Sequence, residues 1–279
     1  MMDDLVVAAA QVDLDLLAAD HNLSTIQRAV DSAKRDHGAH LVVLPELANT
    51  GYIKERDKAF GRRFMEGAEK VEGGFTAALG EMAREHDLHI ICGMAELHPT
   101  IPGTLYNSAV VIGPTGTLLG VHRKAHIPGY EKHYFVPANT NAVFVTDLGT
   151  IGVGICYDNQ FAELTRGYAL KGAELLVMLW NMPSFSNGGS ILHNLTSVRA
   201  FENRMYAVSC NRTGDNNGMH FFGHSAIADP VGELIACADE ADTIISATLQ
   251  RGRLLEERAQ MTIFRDRRPD LYADLVAPL

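Results

Sequence analysis

The sequence lacks a surplus of positive charge. It carries 24 lysines and arginines against 34 aspartates and glutamates, a formal net charge of −10 at pH 7. Phosphate recognition needs a basic face, so nucleic acid is excluded as the principal partner. The one basic cluster (Arg251, Arg253, Arg258, Arg265, Arg267, Arg268) is interleaved with Glu256, Glu257 and Asp266, and reads as a solvated or subunit-contacting tail. Long apolar runs are missing too. None approaches the roughly 20 residues of a membrane span, so no membrane partner is expected. The opening stretch MMDDLVVAAAQVDLD is acidic and has no positive segment, which argues against a signal peptide. Cysteine is sparse: Cys92, Cys156, Cys210 and Cys237 lie far apart, with no C-x-x-C pair and no compact disulfide framework. A reduced, cytoplasmic protein is the expectation. Pro/Gly/Ser-rich linkers, low-complexity stretches and fixed-period repeats are absent as well. Residues 1–279 therefore read as one domain, with about 250–279 as a C-terminal tail at a possible subunit interface.

What is present is core-forming material: 47% hydrophobic residues with 21% charged. Short apolar runs, such as LVVAAAQV (5–12), HLVVLPE (40–46), HIICGMAEL (89–97), TIGVGIC (150–156) and ELLVML (174–179), alternate with helical patterns at 22–37, 74–87, 161–171 and 190–204. Turn signals at 113–116 (Gly-Pro-Thr-Gly) and 229–232 (Asp-Pro-Val-Gly) predict hairpins. Continuous rather than alternating Val/Ile/Leu runs predict strands covered on both faces. The expectation is an α/β fold with two packed mixed β-sheets and helices outside.

Three strand ends carry chemistry. GVGICYDNQF (152–161) brings Cys156 to the end of a glycine-spaced apolar run, before a helical segment. A helix starting there would direct free N–H groups and a positive dipole end at the sulfur, favouring the thiolate, and the Tyr157 N–H could stabilise an oxyanion. Taken alone, the cysteine also fits a small core hydrophobe. LVVLPEL puts Glu46 just beyond another run, where burial would raise its pKa toward a general base's range, although an exposed strand-end acid fits equally. Lys124 closes TLLGVHRK and leads into AHIPGYEKHYFVP. Its ammonium could hold an oxyanion or a thiolate, or simply sit on an exposed hairpin. His86 and His89, and His122 and His126, have ligand-like spacing, but neither pair gathers further ligands in the sequence, so no metal is expected.

Five ordered blocks extend these signals: PELANTGY (45–52), HRKAHIPGYEKHYFVP (122–137), GVGICYDNQFAELTRGYALKGAELL (152–176), RAFENRMYAVSCNRTG (199–214) and FFGHSAIADPVGELIA (221–236). Together they resemble the nitrilase (carbon–nitrogen hydrolase) superfamily. The resemblance implies a four-layer αββα sandwich, subunits paired through their outer helices into a homodimer or larger homo-oligomer, and hydrolysis of non-peptide C–N bonds without metal or cofactor. By position it implies Glu46 as base, Lys124 as oxyanion stabiliser and Cys156 as nucleophile. Glu131 matches a second glutamate that positions substrate, and His126 a histidine that supports the site. Tyr52, Trp180, Asn181 and Met182 are candidates for the pocket wall.

The expected activity is amide hydrolysis through a cysteine thioester with release of ammonia. No arginine follows the cysteine until Arg166, so the corner offers no partner for a substrate carboxylate. A small neutral or weakly polar linear amide is therefore expected. An ω-amidase acting on dicarboxylic monoamides and an N-carbamoyl amidohydrolase are the alternatives. A true nitrilase fits less well, since tyrosine rather than tryptophan follows the cysteine, and so does a non-catalytic scaffold, since no triad residue is missing.

Overall fold

A computed structural model describes residues 3–53, 58–184, 188–216 and 218–277 of the chain. The outermost residues of the expected domain and tail, 1–2 and 278–279, lie outside these. In chain order the elements are β1 (Asp4–Gln11), α1 (Ala19–His37), β2 (Leu41–Val43), α2 (Lys58–Gly67), α3 (Gly74–His86), β3 (His89–Leu97), β4 (Leu105–Ile112), β5 (Leu118–Arg123), β6 (Val143–Thr146), β7 (Gly149–Ile155) and α4 (Ala162–Leu170). There follow β8 (Leu175–Leu179), α5 (Gly188–Asn203), β9 (Tyr206–Cys210), β10 (Thr213–Asn216), β11 (Met219–Phe222), β12 (Ala226–Ala228), β13 (Leu234–Cys237), β14 (Thr243–Gln250) and α6 (Arg251–Gln260).

The strands form two six-stranded mixed sheets, ordered β14-β1-β2-β3-β4-β5 and β13-β12-β9-β8-β7-β6. Each has three parallel strands at its centre, β1-β2-β3 and β7-β8-β9, flanked by antiparallel neighbours. Period-two alternation explains the unbroken apolar runs. Along β1, β2 and β3, Val7, Ala9, Val43 and Ile91 face a core shared with Val153, Ile155, Val177 and Val208 of the other sheet. Their neighbours Ala8, Ala10, Val42 and Ile90 face outward onto α1 and α3. Helix α1 answers with Ile26, Ala29, Val30 and Ala33, a single stripe at i, i+3, i+4 and i+7, and closes at Gly38 in the left-handed conformation (φ +65°). On the far side, Tyr168 of α4 and Leu192 and Ala200 of α5 cover the second sheet. The layers run αββα.

The expected runs align with the strands, with three informative differences. The run 40–46 pairs only over Leu41–Val43, because the chain leaves the sheet toward Pro45, which cannot donate to a ladder. Helices α2 and α6 and the hairpin β10–β11 had no predicted counterpart; the hairpin's strand Thr-Gly-Asp-Asn has no apolar run to announce it. The tail begins as α6, whose Arg258 donates to the carbonyls of Arg204 and Ala173, so its first part packs on its own chain.

Candidate active site

Beyond β2 the chain turns sharply, and the main chain of Gly93 in β3 closes against it: Gly93 N–H donates to Pro45 O at 3.0 Å, and Ala48 N–H to Gly93 O at 2.8 Å. This tucks Glu46 inward, where none of it is exposed. The carboxylate faces the end of β5, and Lys124 Nζ donates to Glu46 Oε1 at 2.9 Å. Asn107 of β4 donates to the same oxygen at 2.7 Å. From the 3-10 turn Gly129–His133, Glu131 reaches back and accepts from Lys124 at 2.9 Å and from the Tyr52 hydroxyl at 2.6 Å. One ammonium thus sits between two buried carboxylates.

Cys156 stands where β7 ends. Its φ is +47°, a left-handed conformation that costs a non-glycine residue about 1–3 kcal/mol and lifts it out of the strand's path. The expected α-helix does not begin here. A five-residue 3-10 turn, Cys156–Gln160, intervenes, and α4 starts at Ala162. Tyr157 is the second residue of that turn, a position whose N–H has no acceptor within the helix.

The thiol is also not held as a thiolate at rest. Burial first, then the charges of Glu46 and Glu131, push the Cys156 pKa well above its ordinary value, outweighing the opposing pull of Lys124. Burial likewise raises Glu46, more than Lys124 lowers it, with Glu131 adding to the rise. For Lys124, burial alone would favour the neutral amine, but the carboxylates of Glu46 and Glu131 hold the ammonium well above its usual range. Tyr52, raised by burial and by Glu131, stays a hydrogen-bond donor. A protonated thiol therefore needs a base, and Glu46 is the buried carboxylate with a free oxygen: Oε2 has no hydrogen-bond partner among the described residues.

A cavity of about 300 Å³ opens onto the sulfur. Tyr52, Pro128, Tyr130, Glu131, Cys156, Tyr157, Gln160, Asn181, Met182 and Pro183 line it, with no cationic side chain among the described lining residues. The expected wall residues Tyr52, Asn181 and Met182 are there. Trp180 is not: at the end of β8 it points the opposite way from Asn181 and is wholly buried in the core between the sheets. His126 supports the site from further out and is not bonded to Glu46 or Glu131 among the described residues. It stacks on Phe161 (ring centroids 3.8 Å apart) and meets Asp158 at 2.8 Å. Arg166 lies away from this cavity, bonded to the carbonyl of Glu202.

Asp158, which drew no comment in the sequence, ties the parts together. Its wholly buried carboxylate accepts from the main-chain N–H of Ile155 (3.3 Å), Ala125 (3.1 Å) and His126 (2.9 Å), and meets the rings of His122 (3.2 Å) and His126. It thereby clamps the loop after Lys124 to the turn carrying Cys156. The spaced histidines are accounted for by carboxylates: His122 and His126 face Asp158, His86 pairs with Asp31 at 2.8 Å, and His89 lies 2.9 Å from Asp147. No group of three or more possible metal ligands occurs among the described residues. No helix among them is long and apolar enough to cross a membrane.

Comparison with known proteins gives consistent matches. Residues 6–258 match the family described as carbon–nitrogen hydrolase. The chain is 38% identical over 248 residues to an ω-amidase NIT2 of Xenopus tropicalis, covering 85% of this chain and 86% of that protein. It is 35% identical over 275 residues to a protein named nitrilase from Pyrococcus abyssi, covering 95% and 98%. The crystal structure of a carbon–nitrogen hydrolase from Helicobacter pylori G27 superposes with a TM-score of 0.88 at 26% identity, covering 99% of both chains.

Proposed function

The chain belongs to the carbon–nitrogen hydrolase family, and on that premise we propose that it is an amidase that releases ammonia from small, neutral or weakly polar linear amides. The observation that carries this reading is the buried Glu46–Lys124–Glu131 cluster with Cys156 beside it, opening onto a small cavity. Glu46 Oε2 takes the thiol proton, and Cys156 Sγ attacks the amide carbon. The carbonyl electron pair moves onto oxygen, where Lys124 Nζ and the Tyr157 N–H hold it. On collapse the C–N bond breaks, its electron pair stays on nitrogen, and Glu46 returns the proton, so ammonia leaves and a thioester remains. A water then gives its proton to Glu46 and attacks the thioester carbon. The C–S bond breaks and the sulfur recovers the proton. Glu131, fixed by Tyr52 and Lys124, keeps the ammonium in place through both halves. Asp158 and His126 hold the loop that carries it.

The cavity's described lining supplies no cation for a substrate carboxylate, and Lys124 is already engaged by two carboxylates. An anionic acyl group would lose its hydration there without a partner, which favours neutral substrates. The ω-amidase relative supports a second reading, dicarboxylic monoamides. Ammonia release from chain-length-matched pairs, butyramide against succinamate, separates the two. Preference for the neutral partner supports the first reading; preference for the anion overturns it in favour of the second. Cys156→Ala should keep the fold and lose turnover of both, and undiminished turnover would end the covalent mechanism. A single domain with the tail packed at a homo-oligomer interface is part of this proposal. So is residence in the reducing cytoplasm, which the four free cysteines support.

A further inference from the structure

Asn181 holds a buried acceptor without a partner. Its side-chain N–H donates to the main-chain oxygen of Glu46 at 2.8 Å. Only the amide nitrogen can donate to a carbonyl, so this bond fixes which way round the side chain lies. The other end, Oδ1, has no hydrogen-bond partner among the described residues, although Asn181 lines the cavity and is only 1% exposed. An amide oxygen left unmatched at such a place has given up its hydration without compensation, and a ligand's donor would restore the missing bond. Glu46 Oε2, equally buried and unmatched, belongs to the residue Asn181 is bonded to.

We propose that Asn181 Oδ1 accepts an N–H of the substrate's leaving –NH2 group and so makes the site selective for primary amides. The inference rests on the amidase reading above and adds a binding role to it. When the C–N bond breaks, its electron pair must face the proton held on Glu46 Oε2. An N–H pinned by Asn181, whose position is locked to Glu46's own backbone, sets the rotation of the nitrogen that achieves this. A tertiary amide, an ester or a nitrile has no N–H to offer there.

The test compares kcat/KM for a primary amide and for the p-nitrophenyl ester of the same acid, in the wild type and in Asn181→Ala. Both substrates form the same thioester and both need Cys156 and Glu46, but the ester's leaving group carries no N–H and departs without a proton. The amide-to-ester ratio should fall about tenfold in the variant, the effect of one lost hydrogen bond. An equal fall for both substrates, or no fall, would overturn the proposal and leave Asn181 only as a support for the Glu46 backbone. Asn181→Ser, with a shorter polar side chain, gives the same comparison if the alanine variant fails to fold. A wild type that releases no ammonia from any amide would instead sink the amidase reading, so the two failures are distinguishable.

Discussion

A Cβ on Gly93 would lie 2.4 Å from the Cα of Glu46 and 2.7 Å from the carbonyl oxygen of Pro45. Both are backbone atoms, which no rotamer change can move aside. Glycine is therefore what lets β3 come close enough to tuck Glu46 under Lys124. Gly93→Ala should destabilise the fold by about 1–3 kcal/mol, the usual range for an overpacked interior. It should also lower kcat/KM for a neutral amide by more than tenfold, since the base is displaced. Thermal denaturation beside ammonia release checks both. A variant with wild-type turnover would show that Glu46 does not depend on this contact.

Much of the frame is legible in the sequence. Strands buried on both faces must be apolar throughout, and the runs around Val42, Ile91, Val153 and Val177 are. Glu46, Lys124 and Cys156 stood out because each ends such a run, where a polar side chain needs a reason. What was not legible depends on partners distant in the chain. Asn107 sits 61 residues from the carboxylate it supports, inside a strand that reads as core. Asp158 carries no signal of its own in the sequence, because most of its donors come from a loop more than thirty residues away. Trp180, a candidate for the wall that fits the core equally well by sequence, lies in the core, since composition cannot say which face of a strand end meets the cavity and alternation gives that face to Asn181. The thiol's environment is illegible for a similar reason: the chain makes a 3-10 turn where the pattern predicts a helix, and burial, added to by two carboxylates against one ammonium, disfavours the thiolate.

The charge arrangement sets a pH dependence. Glu46 must be ionised to accept the thiol proton, and burial raises its pKa above the ordinary 4.5. Activity should therefore fall as pH drops through that raised value, placing the acid limb of kcat/KM above the usual carboxylate range. In Lys124→Met the two carboxylates would face each other without a cation, so one of them should retain a proton at neutral pH. The acid limb should then move upward, and kcat/KM at pH 7 should fall by about 10²–10³-fold as the oxyanion loses its cation. A profile unmoved by the substitution would mean that Glu46 is not the titrating base.

Asp158 offers a prediction that separates charge from shape. Although burial alone would raise its pKa, the hydrogen bonds from His122 and His126 more than compensate and hold the carboxyl below its ordinary 3.8. A carboxylate with a depressed folded-state pKa contributes stability that is complete above its unfolded value and is lost as pH falls through the folded one. Asp158→Asn keeps the size but gives up the charge and one acceptor, and should cost about 3 kcal/mol at pH 7, as when a buried charged cluster loses one member. Urea denaturation of both proteins should show that difference near neutral pH, and narrowing below the ordinary carboxylate pKa, where the unfolded wild-type chain takes up a proton at Asp158 that the folded one resists. A difference that stays the same down to acid pH would mean that Asp158 holds the two loops by packing alone. Turnover adds a second reading of the same variant. Slackening the clamp between the Lys124 loop and the Cys156 turn misplaces the ammonium relative to the sulfur, so kcat should fall further than KM rises.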